Sequence, residues 1–236
     1  MNGVRFGGKH SYYDWGLILK SRPVISPPTP KTFYIDIPAS DGGIDLTESM
    51  TGDVKFENRM ITFEFNVIDA RERWSNIYSE ILDFLHGQKM NVIFDEDPTY
   101  KYIGRFVVDE WKSNKVTSTI TINGNVEPYK LELFSSLDDW EWDSFNFDKG
   151  IIREYKNIKI KDEFKIDIEG TRKSVVPSFV VNSTNGKGLK VKFENTTYDL
   201  VDGTNRILSI ILKNGINSLY FTGNGNVSID YIGGRL

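Results

Sequence analysis

The chain has 236 residues, of which 39% are hydrophobic and 13% aromatic, and this composition can fill the core of one large β-domain or of two ordinary ones. Its 29 basic and 33 acidic residues are mixed along the chain and give a formal charge of −4, without the basic stripe that a nucleic-acid-binding protein uses to neutralise phosphates. The chain has no cysteine, which excludes disulfides and thiolate zinc sites, and no run of about eighteen apolar residues, which a membrane-spanning helix requires.

The first residues of the chain do not predict a secretory signal. Gly3, Gly7, Gly8 and Asp14 precede the first apolar stretch, whereas a signal places basic residues before an apolar run. We therefore expect no export by the usual route, and lysis of a host is the simplest way for the protein to leave a cell.

Residues 22–38 contain five prolines, which exclude a helix and predict an extended segment, because proline lacks an amide donor and restricts the residue before it. We interpret this segment as a long loop between two strands. Long ordered loops are uncommon in compact domains and often make contacts, so the segment is a candidate interface arm. A surface connection without a function is the alternative.

One strand and one helix are predicted from clear periodicity. Residues 60–67 alternate between apolar and polar side chains, which predicts a half-buried strand. A helix over about 70–86 is predicted from apolar residues at spacings of three and four: Trp74, Ile77, Tyr78, Ile81, Leu82 and Leu85. Asp69 and Glu72 resemble a capping box at its start, and Gly87 is placed to end it.

The strand pattern predicts a mainly β protein with two domains. In residues 1–140, further alternating runs indicate a β-barrel-like N-terminal domain with the single helix packed on it. In residues 141–236, short alternating runs are separated by turn signals such as Asp202-Gly203 and Asn214-Gly215, and no helix is predicted. We expect this half to be a C-terminal β-sandwich of the jelly-roll or galectin-like kind.

The sequence contains no recognisable catalytic constellation. The two histidines, His10 and His86, stand in different contexts and belong to no HExxH pair, so a zinc hydrolase has no ligand set. His86 falls in the last helical turn before Gly87, where helix capping is favoured over catalysis. The Gly-x-Ser-x-Gly elbow and the P-loop are also missing. We therefore predict no catalytic residue, no cofactor and no metal site.

Two acidic clusters are candidates for other chemistry. Residues 95–97 precede a proline at a predicted hairpin, where acidic residues are ordinary turn formers, and a Ca²⁺ site is the less favoured alternative. The second cluster, in residues 138–143, interleaves acids with Trp140 and Trp142. Packing of these tryptophans in a seam between the domains is favoured, but tryptophan beside carboxylates also forms sugar-binding sites, so Trp140 and Trp142 are candidates for glycan contact. A carboxylate-based glycosidase is the least favoured interpretation.

Residues 41–67 have the most specific order in the chain, DGGIDLTESMTGDVKFENRMITFEFNV. The ordered set consists of the Asp41-Gly42 turn, the Asp45-Leu46-Thr47 triplet with Glu48, Gly52, and Asn58-Arg59 leading into Ile61, Phe63 and Phe65. This order resembles the N-terminal domain of the distal tail (Dit-like) proteins of siphophages, a family of phage tail components. Residues 217–234 resemble the close of the C-terminal domain of the same family.

The resemblance implies a structural protein without enzymatic activity. It implies a baseplate hub in which six copies form a ring that joins the tail tube to the tail-associated baseplate or fibre protein. The protein would be assembled in the host cytoplasm and would lie in the virion at the tail tip, with neither nucleic acid nor a membrane as partner. Asp45, Thr47, Asn58 and Arg59 are then candidates for the oligomer interface, since arginine forms planar bidentate pairs at interfaces. A carbohydrate-binding module that recognises host cell-wall glycans is the alternative function.

Overall fold

The computed structural model of the protein describes residues 3–138, 154–182 and 188–236. The chain is mainly β, as predicted, with about half of it in strands and curled antiparallel sheets of the barrel-like and sandwich-like kind. It folds as two compact units, one formed by Met1–Asp97, Lys101–Lys130 and Leu236 and the other by Pro98–Tyr100 and Leu131–Arg235. The junction predicted at residue 140 lies outside the described residues and stays a prediction.

The first unit is built on one antiparallel sheet. Its elements are β1 (Val4–Phe6), β2 (Lys9–His10), α1 (Ser11–Trp15), β3 (Leu17–Leu19), β4 (Val24–Ile25), β5 (Tyr34–Asp36), β6 (Gly43–Asp45), β7 (Arg59–Val67), α2 (Trp74–Leu85), β8 (Gln88–Phe94), β9 (Tyr100–Ser113) and β10 (Ser118–Val126). The sheet has the order β2-β1-β8-β9-β10-β7-β3, with β4 also paired to β7. Strands β5 and β6 pair only with each other and form a separate ribbon.

A cluster of aromatic rings fills the core of this sheet. The predicted strand is confirmed in β7, where Ile61, Phe63, Phe65 and Val67 are buried. The ring of Phe6 lies 5.1 Å from that of Phe63 in an edge-to-face contact, a geometry that aromatic pairs prefer. Alternation along each strand therefore places one side of the sheet in the core and leaves the other side to solvent.

The predicted helix is confirmed in α2, but its predicted cap is wrong. A 3₁₀ turn at Arg71–Arg73 precedes the helix, so its N-cap is Arg73, which makes no side-chain capping bond. Asp69 instead accepts a hydrogen bond from the amide of Ala70 and pairs with Arg73 at 2.7 Å. Gly87 adopts a φ of +75° just after the helix, which is the left-handed conformation that favours glycine there.

The second unit is also antiparallel. Its strands are β11 (Lys130–Glu132), β12 (Ile158–Gly170), β13 (Ser178–Asn182), β14 (Leu189–Phe193), β15 (Thr196–Leu200), β16 (Gly203–Arg206), β17 (Gly215–Asp230) and β18 (Gly234–Arg235). The sheet has the order β15-β14-β17-β13-β16, with β12 paired along the length of β17. Phe179, Leu219 and Phe221 are among its fully buried core residues. The jelly-roll or galectin-like topology stays a prediction.

Two asparagines close turns of the second unit in the same way. The Asn217 carboxamide accepts a hydrogen bond from the amide of Lys213 at 2.9 Å and donates to the carbonyl of the same residue at 2.8 Å. Asn205 makes the equivalent pair of bonds with Val201, at 2.9 and 2.7 Å. In both turns the residue two positions before the asparagine is a glycine at positive φ: Gly203 and Gly215. Each carboxamide thus takes the place of a backbone partner where the chain reverses.

Candidate oligomer interface

Residues 27–57 form a two-sided ribbon, which we call the arm. Backbone hydrogen bonds join its two sides near the base, from the amide of Lys31 to the carbonyl of Lys55 and from the amide of Glu57 to the carbonyl of Thr29. Further out, β5 pairs with β6, with Ile35 opposite Ile44. The arm lies wholly within the described part of the chain, and none of its residues is buried. The extended segment predicted over residues 22–38 therefore pairs first with β7 through β4 and, from residue 27 on, forms one side of a longer ribbon.

One face of the arm is apolar. Residues two apart along a strand share a face, and directly paired residues share it across the strands, so Phe33, Ile35 and Ile44 lie together. Their exposed fractions are 58%, 44% and 49%, and Ile37 beyond them is 44% exposed. An isolated two-stranded ribbon is only marginally stable in water. An apolar face of this size on such a ribbon is typical of a surface that another molecule covers.

Asp45 and Thr47, two of the predicted interface residues, lie together in the arm. The carboxylate of Asp45 accepts a hydrogen bond from the amide of Thr47 at 2.9 Å, and the hydroxyl of Thr47 accepts one from the amide of Phe33 at 3.1 Å. The hydrogen bonds from Thr47 lower the pKa of Asp45, and the charge of Asp45 in turn raises the pKa of Tyr34. These contacts fix the register of the ribbon, while contact of either residue with another subunit stays a prediction.

Asn58 and Arg59, the other predicted interface residues, lie at the base of the arm. Asn58 is exposed, but Arg59 points to the core side of β7 and is only 6% exposed. Its guanidinium lies over the ring of Tyr102 at 5.0 Å, and burial lowers its pKa. Its Nε and Nη2 atoms are buried without a hydrogen-bond partner in the described structure. Arg59 is thus a buried cation that an aromatic ring stabilises.

A shallow groove of about 350 Å³ lies on the side of the first unit's sheet that faces away from its core. Residues in or directly beside the strands β7, β10, β9 and β8 line it: Asn58, Met60, Lys89, Ile103, Gly104, Arg105, Val107, Asn123, Asn125 and Glu127. Lys89 and Arg105 are directly opposite each other on β8 and β9. Glu127 pairs with Lys89 at 3.4 Å, and within the described residues Arg105 has no carboxylate partner. Sequence analysis missed this groove, because the order of neighbouring strands is not visible in the sequence.

The arm carries the net charge of the protein. It contains two lysines and six acidic residues, a net charge of −4, so the rest of the chain is neutral overall. Between residues 32 and 54 there are five acidic residues and no basic one: Asp36, Asp41, Asp45, Glu48 and Asp53. The arm therefore combines an apolar face with a negative charge, which favours a partner that is apolar and basic.

Both histidines have structural roles. The Nδ1 atom of His10 accepts hydrogen bonds from the amides of Tyr12 and Tyr13, so His10 caps α1, a helix that sequence analysis missed. Histidine is not among the usual N-cap residues, so no residue pattern indicated this helix. His86 is the C-cap residue of α2, where its backbone amide donates to the carbonyl of Leu82 at 3.0 Å, and its side-chain Nδ1 atom accepts a hydrogen bond from the amide of Val108 at 3.1 Å.

The first acidic cluster is paired with cations and donors. Asp95 accepts hydrogen bonds from the amide of Gly3 at 2.8 Å and from Nε2 of His10 at 3.0 Å. Burial raises the pKa of Asp95, but the bonds from His10 and Gly3 outweigh burial and leave that pKa below its ordinary value. Glu96 pairs with Arg22, and Asp97 with Lys130. Among the described residues, no group of three or more potential ligands is arranged to hold a metal ion.

In the second acidic cluster, Asp138 accepts a hydrogen bond from the amide of Ser135 at 2.6 Å, while the other members of the cluster and the tryptophans Trp140 and Trp142 lie outside the described residues. Glycan contact by these two residues stays a prediction. Among the residues that the structure describes, no helix has the length and apolar character needed to cross a membrane.

Comparison with known proteins finds a likeness in structure but not in sequence. No family model matches the chain, and no curated protein matches it in sequence. Among solved structures, the chain is similar to the Dit protein of phage SPP1, which is described as a paradigm of the hub adsorption apparatus in phages that infect Gram-positive bacteria. The superposition covers 98% of this chain and 99% of that one, with a TM-score of 0.61 and 11% sequence identity. The fold implied by the resemblance of residues 41–67 is therefore confirmed along nearly the whole chain.

Proposed function

We propose that the protein is a structural component of the distal tail of a phage or prophage with a long, non-contractile tail. In this proposal it is a baseplate hub protein without enzymatic activity. Copies of the chain form a ring, and the family resemblance implies six copies. The ring assembles in the host cytoplasm and lies at the tail tip of the virion. The ring joins the tail tube protein on one side to the tail-associated baseplate or fibre protein on the other.

The observation that carries the proposal is the exposed apolar face of the arm, on a chain whose fold is shared end to end with a phage hub protein. The fold alone does not specify a function. The arm supplies a reason for association that is independent of the likeness, because Phe33, Ile35 and Ile44 leave an apolar surface in water that a partner subunit would cover.

A ring built from identical copies needs two different surfaces on each copy. One surface of a subunit meets a different surface of the next, and the rotation between them closes the ring. The arm provides a projecting surface on one side of this contact. Its backbone edges add a second means of association, since unpaired strand edges pair readily with neighbouring chains.

The experiment that tests the proposal is a mass measurement of the purified protein in solution, combined with negative-stain electron microscopy. We expect a cyclic oligomer with a central hole, of the width that a tail tube needs. A species that stays monomeric from micromolar to near-millimolar concentrations would contradict the proposal. Turnover of cell-wall polysaccharide by the purified protein would contradict its non-enzymatic part.

A further inference from the structure

We propose that His10 is a pH-sensitive cap: its neutral imidazole holds the helix α1 in place, and protonation of its Nδ1 atom releases the first turn of that helix. The site lies where β2 leads into α1, and its behaviour does not depend on the proposed function. The order of a short surface segment then follows the acidity of the solution.

The hydrogen bonds of His10 fix which ring nitrogen carries the proton. Its Nδ1 atom accepts hydrogen bonds from the amides of Tyr12 at 3.0 Å and Tyr13 at 3.3 Å, so this atom presents a lone pair. Its Nε2 atom lies 3.0 Å from a carboxylate oxygen of Asp95, which accepts a hydrogen bond and has none to donate. His10 is therefore the neutral tautomer with its proton on Nε2.

A second proton on His10 and the cap of α1 exclude each other. The proton would occupy Nδ1 and point at the two backbone N–H groups that this atom now accepts from, so both hydrogen bonds would be lost. Histidine gains such a proton between about pH 8 and 5, whereas serine, threonine and asparagine cap helices without a change of charge in that range. Helix α1 has five residues, too few to be stable without its cap.

The imidazole of His10 has no room to turn away from this conflict. It is 7% exposed and packs against the backbone of Gly3, where a β-carbon would overlap the ring. The ring of Tyr13 also lies 4.6 Å from it. A positive charge would strengthen the bond from Nε2 to Asp95, because charge-assisted hydrogen bonds are the stronger kind. Protonation therefore leaves the ring in place and releases the two amides.

The charged groups around this cap come from five elements: Arg5 on β1, Lys9 on β2, Asp14 on α1, Glu80 on α2 and Asp95 after β8. Asp14 accepts a hydrogen bond from the backbone amide of His10 at 2.6 Å, which does not involve the imidazole. Although burial raises the pKa of Asp95, the hydrogen bonds from His10 and Gly3 leave that pKa below its ordinary value, so Asp95 keeps its charge above about pH 5. Among these types of side chain, histidine is the one that changes its charge between about pH 8 and 5.

The release is confined to the middle of α1. Ser11 and Trp15 at its two ends are buried: the hydroxyl of Ser11 accepts a hydrogen bond from the amide of Val4 at 3.1 Å, and Trp15 belongs to the core of the sheet. Between them, Tyr13 and Asp14 are exposed. An acidic solution therefore loosens the surface that Tyr13 presents and leaves the sheet folded.

The test is hydrogen exchange of the whole protein, measured by mass spectrometry at about pH 7.5 and about pH 5, with rates corrected for the pH dependence of exchange in unfolded peptides. In the wild type, the amides of Tyr12 and Tyr13 should exchange about tenfold faster at the lower pH, the factor expected when an N-cap is lost. His10→Asn supplies a cap that does not change its charge, so these amides should be equally protected at both pH values. His86→Asn is the matched control, since it makes the same substitution at the other histidine of the chain, and it should keep the wild-type response.

Nitrogen NMR of protein with nitrogen-15-labelled histidine gives an independent readout. The chain has two histidines, so the signals that remain in His86→Asn belong to His10. At neutral pH, the Nδ1 atom of His10 should have the chemical shift of an unprotonated ring nitrogen. The midpoint of its titration should coincide with the midpoint of the faster exchange at Tyr12 and Tyr13.

The possible results separate a pH-sensitive cap from a purely structural histidine. A proton on Nδ1 at neutral pH, or a titration of His10 whose midpoint differs from that of the amide exchange, would overturn the proposal. Exchange in the wild type that does not accelerate in acid would also overturn it, as would a folded His10→Asn variant with the same acid response. If His10→Asn does not fold, the agreement or disagreement of the two midpoints in the wild type decides.

Discussion

The apolar face of the arm makes a quantitative prediction about assembly. Ile44 is about half exposed in the single copy, so its burial between subunits would contribute about 1 kcal/mol, half of what full burial of an isoleucine provides. The four exposed side chains of this face, Phe33, Ile35, Ile37 and Ile44, would together contribute about 4 kcal/mol per interface. Ile44→Asp removes one of these contributions and also places a charge in an apolar contact, which costs about 2 kcal/mol more.

We therefore expect Ile44→Asp to weaken each contact between subunits by about 3 kcal/mol, or roughly a hundredfold. Sedimentation velocity should show a monomer at concentrations where the wild type is a closed oligomer, with a melting temperature close to that of the wild type. Val116→Asp is the matched control, because it makes the same change at an exposed position away from the arm. An Ile44→Asp variant that assembles like the wild type, or a Val116→Asp variant that also dissociates, would refute the reasoning.

Four further predictions concern single residues. Asn217→Ala should lower the free energy of unfolding of the second unit by about 3 kcal/mol, since the four hydrogen bonds of its carboxamide are lost and the partly buried amide of Lys213 is left unpaired. Asn205→Ala in its more exposed turn should cost about 1 kcal/mol. Urea denaturation measures both costs, and equal costs would contradict the argument. Arg59→Met should leave the free energy of unfolding unchanged or raise it, because a cation whose Nε and Nη2 atoms are buried without a hydrogen-bond partner among the described residues is replaced by an apolar side chain of similar length. A loss of more than about 2 kcal/mol would show that the charge itself is needed. The folded-state pKa of Asp95 is lowered, so its carboxylate stabilises the fold at pH values above its unfolded-state pKa, and this stabilisation is lost as the pH falls through the folded-state pKa. Asp95→Asn should therefore reduce the free energy of unfolding at pH 7. In denaturation curves, the difference in this free energy between the variant and the wild type should shrink below about pH 4. If the tryptophans of the second acidic cluster bind glycans, the wild type should bind to an array of host-wall polysaccharides, and this binding should disappear in Trp142→Ala. An array to which the wild type does not bind at all would contradict the alternative function as a carbohydrate-binding module.

Periodicity predicted the elements whose side chains face a core. Strand β7 and helix α2 were found because Ile61, Phe63 and Phe65, and then Trp74 and Ile77, repeat at the spacing of their secondary structure. The same alternation extended two residues back would have placed Arg59 on the core side. The prediction of an interface role for Arg59 followed the preference of arginine for interfaces and did not use its position on the strand, and that role stays a prediction.

Features that depend on contacts between distant segments could not be predicted. The short helix α1 relies on a histidine cap, and the start of α2 is shifted by a 3₁₀ turn that no residue pattern announces. The extended character of residues 22–38 was visible in its prolines, but its pairing with residues 43–57 was not. The groove requires β9 to lie between β8 and β10, and β10 beside β7, an order that only the folded sheet establishes.

The uneven distribution of charge along the chain has a consequence for free subunits before assembly. In the proposed ring assembly, two arms that met with their apolar faces together would form a symmetric pair and remove both copies from the growing ring. Such an encounter also brings together the five acidic residues that each arm carries in positions 32–54, with no lysine or arginine there to offset them. The resulting repulsion between carboxylates opposes this symmetric dimer. A neutral or basic surface is then the more favourable partner for the arm, so in the proposed assembly the negative charge of the arm favours contact with a different surface of the next copy.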